Sequence, residues 1–183
     1  MTCPYPVNSY LSGEDLLHPI HTLQQRAIEL SGIDLETANA IDDINIGNII
    51  GEYNMLQIYE KFYKRCTEDP DSWFADMFVE VGEEYASNNS EFLLQRLGGE
   101  AYYADRKGVS NLLQIHANLE INEKKAERYL DHMEEVLTEF ENSEDISAKH
   151  KKMIMNYFRF NAYLLVAATE ASENFIDDGP VPP

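Results

Sequence analysis

The sequence predicts an all-α fold, and three observations carry that prediction. Apolar residues recur at helical spacing over four long stretches, residues 49–66, 82–97, 123–141 and 147–170. The strongest chain breakers, Asp69-Pro70 and Gly98-Gly99, fall between those stretches rather than inside them. Nowhere does the chain show the two-residue alternation of a strand, or an internal repeat. At 183 residues it can bury one sizeable core and is most simply one domain.

Taken in order, residues 1–21 mix Pro4, Pro6, Gly13 and Pro19 with polar residues and are expected to form a flexible extension. A helical domain over residues 22–172 follows. Ile28 and Leu30 precede a stop at Ser31-Gly32, and Asp34 is placed to cap a short helix over residues 35–40. From Ile49 to Cys66 one face carries Ile58, Tyr59, Phe62, Tyr63 and Cys66. Trp73, Phe74, Met77 and Phe78 form an aromatic cluster suited to core packing. The helix expected from Gly82 to Leu97 sets Tyr85, Asn89, Phe92, Leu93 and Arg96 on one stripe, polar at its start. Gly98-Gly99 supplies the positive-φ freedom that ends it. Beyond it come Tyr102, Tyr103, the basic pair Arg106 and Lys107, and a short run from Asn111 to Ile115 that delivers His116. Asn122 can cap a helix from Glu123 to Glu141, whose buried face is Ala126, Tyr129, Leu130, Met133, Val136, Leu137 and Phe140. The last helix, Ser147 to Glu170, buries Met153, Tyr157, Phe160, Leu164 and Ala168, and residues 173–183 form a flexible tail.

Charge narrows the choice of partners. With 33 acidic and 14 basic residues the net charge is −19, which argues against nucleic acid and against anionic membrane surfaces. Cys3 and Cys66 lie far apart without a CxxC or Cys/His cluster, so neither a disulfide framework nor a zinc site is indicated and a reducing compartment fits. The first residues lack the basic head and apolar run of a secretory signal, and no stretch reads as a membrane span. A cytoplasmic protein is expected.

Among five histidines, His116 stands apart. It follows a short run rich in apolar residues, where an imidazole is either an axial ligand to a buried metal or macrocycle or a satisfied structural side chain. His18 and His21 fall in the leader as solvated side chains. His132 and His150 are expected to face solvent from polar helix faces.

The run LLQRLGG, then YY and DRKG, then His116, resembles the group II truncated haemoglobins of plant and algal type. The segments LQQRAIELSGIDLETANAID, KFYKR with DSWFADMF, KAERYLDHMEEVL and MIMNYFRFNAYLLVAA are similar to the same family in the same order, so the resemblance covers residues 23–168. It implies a truncated globin, a two-on-two helical sandwich with an N-terminal helical extension. It also implies haem b (iron protoporphyrin IX), with His116 as the proximal iron ligand and its second nitrogen bonded to a carbonyl or carboxylate. Tyr63 takes the place of the tyrosine that faces the bound gas, against the alternative of a core tyrosine bonded to nearby backbone. Asn89 and Tyr85 fall at the polar distal and gate positions, with Ala86 as the gate if the helix is one residue out of step. Phe62, Phe78, Phe92 and Ile115 would pack on the ring. Lys107, or Arg106, would pair with a haem propionate, unless both are simply exposed turn cations.

Several positions depart from the family pattern. Tyr129 stands where group II proteins carry a tryptophan, Val109-Ser110 where they carry His-Pro, Glu100-Ala101 where they carry Pro-Pro, and Ala117-Asn118-Leu119 where Pro-Phe is usual. The resemblance implies a monomer or homodimer that binds O2, NO or CO and serves scavenging, redox or sensing rather than bulk transport. NO dioxygenation or peroxidase-like chemistry, with a reductase partner, would be its enzymatic form. The competing expectation is a haem-free globin-fold interaction or sensor protein whose acidic surface meets a basic partner. A metal-dependent hydrolase has little behind it, because the carboxylates lie on solvated faces without histidine ligand spacing.

Overall fold

The computed structural model describes residues 14–78, 84–98, 102–108, 111–143 and 145–176; the side-chain surroundings of 14–19, 84–86, 102 and 174–176 fall outside that description. Cys3, His18, Glu100-Ala101, Val109-Ser110 and the side chains of Tyr85 and Ala86 therefore lie outside it, as do residues 177–183. Every regular element among the described residues is helical.

Helix α1 (Glu14–Ser31) begins inside the stretch expected to be an extension. It lies along the last helix, α10 (Ala148–Ile176), through a small core of Ala27, Ala38, Phe160 and Leu164. Asp34 caps α2 (Leu35–Asn39) as its position requires, accepting from the Thr37 N–H at 2.7 Å. Next the structure differs from the expected unbroken helix over 49–66: α3 (Ile46–Ile50) and α4 (Glu52–Thr67) are separate, divided by Gly51 at φ 78°. Only a residue without Cβ enters that left-handed region at no cost, so the chain turns there.

Helix α5 (Ser72–Ala75) and a 3-10 turn (Asp76–Phe78) carry the aromatic cluster, with Phe74 fully buried. Helix α6 (Glu84–Arg96) ends at Gly98, φ 92°, where an added Cβ would lie 2.7 Å from Asn45 Oδ1. This close approach seats the start of α3 against the end of α6, and the Gly47 N–H donates to Leu97 O at 2.8 Å. Short α7 (Tyr102–Lys107) and α8 (Leu112–Ile115) lead to α9 (Glu123–Asn142), capped by Asn122, which accepts from Lys125 N–H at 3.0 Å.

Helix α4 packs on α6, α9 on α10, and α4 on α9, so two helical pairs form the sandwich. The main core runs between them from Ile41 and Ile58 through Leu97, Met133 and Leu137 to Phe158 and Val166. Helix α10 is buried around much of its circumference, including Ile154, Phe158, Ala162 and Val166 beside the expected Tyr157, Phe160 and Leu164; Met153 and Ala168 are only half-buried. It is flanked by α1 on one side and α9 on another, and a helix between two neighbours loses its single polar face.

His132 overturns its expected exposure. It is 8% exposed, and its Nε2–H donates to Asp69 Oδ2 at 2.6 Å. Arg128 Nε donates to the same oxygen at 2.7 Å, and Asp69 Oδ1 accepts from the Asp71 N–H at 2.8 Å. The corner after α4 is thereby tied to α9. Burial alone would raise the Asp69 carboxyl, but the bonds from Arg128, the Asp71 backbone and His132 outweigh it and hold the group at about 2.

Candidate functional site

Between the two helical pairs lies a cavity of about 1100 Å³, its open mouth included. Each helix contributes residues three or four apart, the spacing that puts side chains on one face. Helix α4 presents Tyr59, Phe62 and Tyr63; α6 presents Asn89, Phe92 and Leu93; α10 presents Tyr157, Phe158, Asn161, Ala162 and Leu165. Met77 and Phe78 from the 3-10 turn, Leu112, His116, Leu119 and Ile121 from α8 and the stretch after it, and Lys125, Ala126 and Tyr129 from α9 complete the lining. The walls are thus chiefly apolar and aromatic, with a few polar groups, as in sites for large flat ligands.

His116 caps α8. Its Nδ1–H donates to Leu112 O at 2.8 Å, the carbonyl that also accepts the His116 backbone N–H at 3.3 Å. That bond sets the tautomer and the ring plane, and leaves Nε2 with its lone pair as the nitrogen open to a ligand. Burial pulls the imidazole below its ordinary value and so favours the neutral form that binds metals, while the Leu112 bond offsets part of that shift.

Tyr63 also lines the cavity, and its hydroxyl donates to Phe78 O at 3.3 Å, a long bond. The core-tyrosine alternative and the gas-facing one thus meet in one side chain. Its ring stands edge-on to Phe78, 5.7 Å between centroids. Tyr129 meets Phe62 edge-on at 4.8 Å and lies 6.1 Å from Phe158. Asn89 comes from α6.

Three expected participants sit elsewhere. Ile115 is 55% exposed and does not line the cavity, since one residue along a helical turn from His116 points another way. Leu112, Leu119 and Ile121 stand in the cavity wall instead. Arg106 is exposed and pairs with Glu91, also donating to Asn88 Oδ1 at 3.1 Å; Lys107 is exposed, and neither lines the cavity. Sequence reasoning missed Lys125, Asn161, Tyr59 and Tyr157. For Tyr157 the helical period had marked burial, but nothing in a single sequence separates core from cavity wall.

A flat apolar macrocycle held by one nitrogen fits this donor set: aromatic walls, a neutral imidazole with a fixed tautomer, and polar groups that reach a small ligand. Comparison with known proteins agrees. A family model described as bacterial-like globin matches residues 45–164, a span holding every cavity residue named above except Leu165. Group 2 truncated hemoglobin 3-1 of Lotus japonicus is 35% identical over 158 residues, covering 85% of this chain and 92% of its own length. Two-on-two hemoglobin-3 of Arabidopsis thaliana is 36% identical over 152 residues, covering 82% and 85%. With the sandwich, the cavity and these matches in place, the chain belongs to the bacterial-like globins, among the group 2 two-on-two truncated haemoglobins.

Proposed function

We propose that this haem-binding globin takes haem b, holds its iron through His116 Nε2, and captures O2, NO or another diatomic gas for scavenging, redox chemistry or sensing rather than bulk transport. The observation that supports it is the His116 ring, set in the cavity wall with Nδ1 committed to Leu112 O at 2.8 Å. Haem, when bound, supplies an iron atom that holds the gas and exchanges electrons.

The chain's own residues set how tightly a polarised gas is kept. Tyr63 lines the cavity and carries a hydroxyl donor that a partial negative charge on the bound gas would attract. Tyr129 and Asn89 bring a second phenol and an amide from α9 and α6. Tyr129 stands where the family carries tryptophan and donates from a different point, so it adjusts retention rather than copying the indole. A cavity with several donors releases a polar ligand slowly, which suits capture better than delivery. NO dioxygenation would also draw an electron in each cycle, which a reductase in the cytoplasm would supply.

Reconstitution tests the reading. Purified chain mixed with haem should develop a Soret band that moves on adding CO. His116→Ala should lose that band, and added imidazole should restore it. Wild-type protein that stays colourless with haem would refute the proposal and leave the haem-free interaction protein in its place.

A further inference from the structure

We infer that Lys125 recognises a carboxylate of the macrocycle, and that it, rather than Arg106 or Lys107, is the cation of the binding cavity. The inference rests on the haem reading above. Lys125 is the one lysine or arginine in the cavity wall among the described residues. It is half-buried, and its ammonium donates to Glu120 O at 2.7 Å, which leaves two of its three donor hydrogens for another acceptor.

Its neighbours make the lysine unusual. On the same helix and the facing one, Arg128 is bonded to Asp69, Arg159 to Glu127, and Lys124 sits over the Trp73 ring at 3.9 Å. Lys125 has no carboxylate partner among the described residues, although the chain has 33 acidic side chains against 14 basic ones. An ammonium held by one backbone carbonyl beside apolar walls is an electrostatic site for an anion carried by the ligand itself. A tetrapyrrole with acid side chains has an apolar body for the aromatic walls and an anionic edge for this group.

The contribution should be modest, because Lys125 is partly solvated. Replacing it by methionine keeps most of the apolar stem and removes the charge together with the bond to Glu120 O. Lys125→Met should release iron protoporphyrin IX about two- to fivefold faster than wild type, measured by transfer to an excess of an acceptor apoglobin. Lys125→Arg should stay close to wild type. With the dimethyl ester of the same macrocycle, wild type and Lys125→Met should release at equal rates, and only the wild-type rate with the free acid should rise with added salt. Equal release of the free acid by wild type and Lys125→Met would overturn the assignment while the haem reading stands. Faster release of both the acid and its ester by Lys125→Met would overturn it too, since the lysine would then act through packing. A wild type that takes up no haem would remove the haem reading and this inference with it.

Discussion

The buried Asp69 is the most informative place to perturb the fold, because three donors converge on a carboxylate whose side chain is fully excluded from solvent. Holding that carboxyl at about 2 instead of its ordinary 3.8 amounts, at about 1.4 kcal/mol per pH unit, to about 2 kcal/mol of stability at neutral pH. Asp69→Asn keeps the shape and removes the charge. It also leaves His132 beside a neutral amide, with Nδ1 already buried and unpartnered, and Arg128 without its anion. Because the Arg128 side chain is 34% exposed it can rehydrate, so the loss should fall at about 3 kcal/mol, the low end for breaking a buried pair. Urea denaturation of wild type and Asp69→Asn across pH gives the test. The carboxyl is depressed in the folded state, so the wild-type advantage is complete above 3.8 and disappears as pH falls through about 2. A difference under about 0.5 kcal/mol at pH 7, or one that does not change with acid, would show that the cluster is not a source of stability.

Two further substitutions probe the joints that shape the cavity. Gly98→Ala meets both a φ of 92° and Asn45 Oδ1 at 2.7 Å, with the Asn45 backbone 3.5 Å away, so it should cost about 2 kcal/mol in thermal or urea unfolding; an unchanged midpoint would mean that α3 is not seated there. Tyr63→Phe removes a hydroxyl that donates to Phe78 O at 3.3 Å, so stability should fall by about 1 kcal/mol while O2 escape from the haem-loaded chain quickens about tenfold or more. Stopped-flow displacement of O2 by CO would read this, and an unaltered escape rate would mean that the hydroxyl does not reach the bound gas.

Much of the fold was legible because it depends on local chemistry. Asp34 and Asn122 cap the helices they precede, since a short acceptor one residue outside a helix serves the first unpaired N–H groups wherever that helix later packs. The place of His116 in the cavity wall was expected by a different route, through motif order around Gly98-Gly99 rather than through any property of the residue. For the basic pair two readings stood open, a propionate partner or exposed turn cations, and both side chains are exposed and outside the cavity wall. Arg106 instead faces α6, where Glu91 takes it, and the cavity's cation comes from the first turn of α9.

His132 shows the same limit from the other side. Beside Asp131 it had the look of a solvated face, yet the corner carrying Asp69 folds over that part of α9 and turns a polar position into a buried one. The sequence by itself determined the all-α class, most of the long helical segments, their Asp34 and Asn122 caps and which histidine sits in the family's ligand position, because periodicity and caps act over a few residues, but not the break at Gly51 or the start of α1 at Glu14. The tertiary structure alone decided which faces meet, which charge is left in the cavity wall and which is neutralised outside it. Burial and ion pairing arise between segments far apart in the chain, and no local pattern encodes that distance.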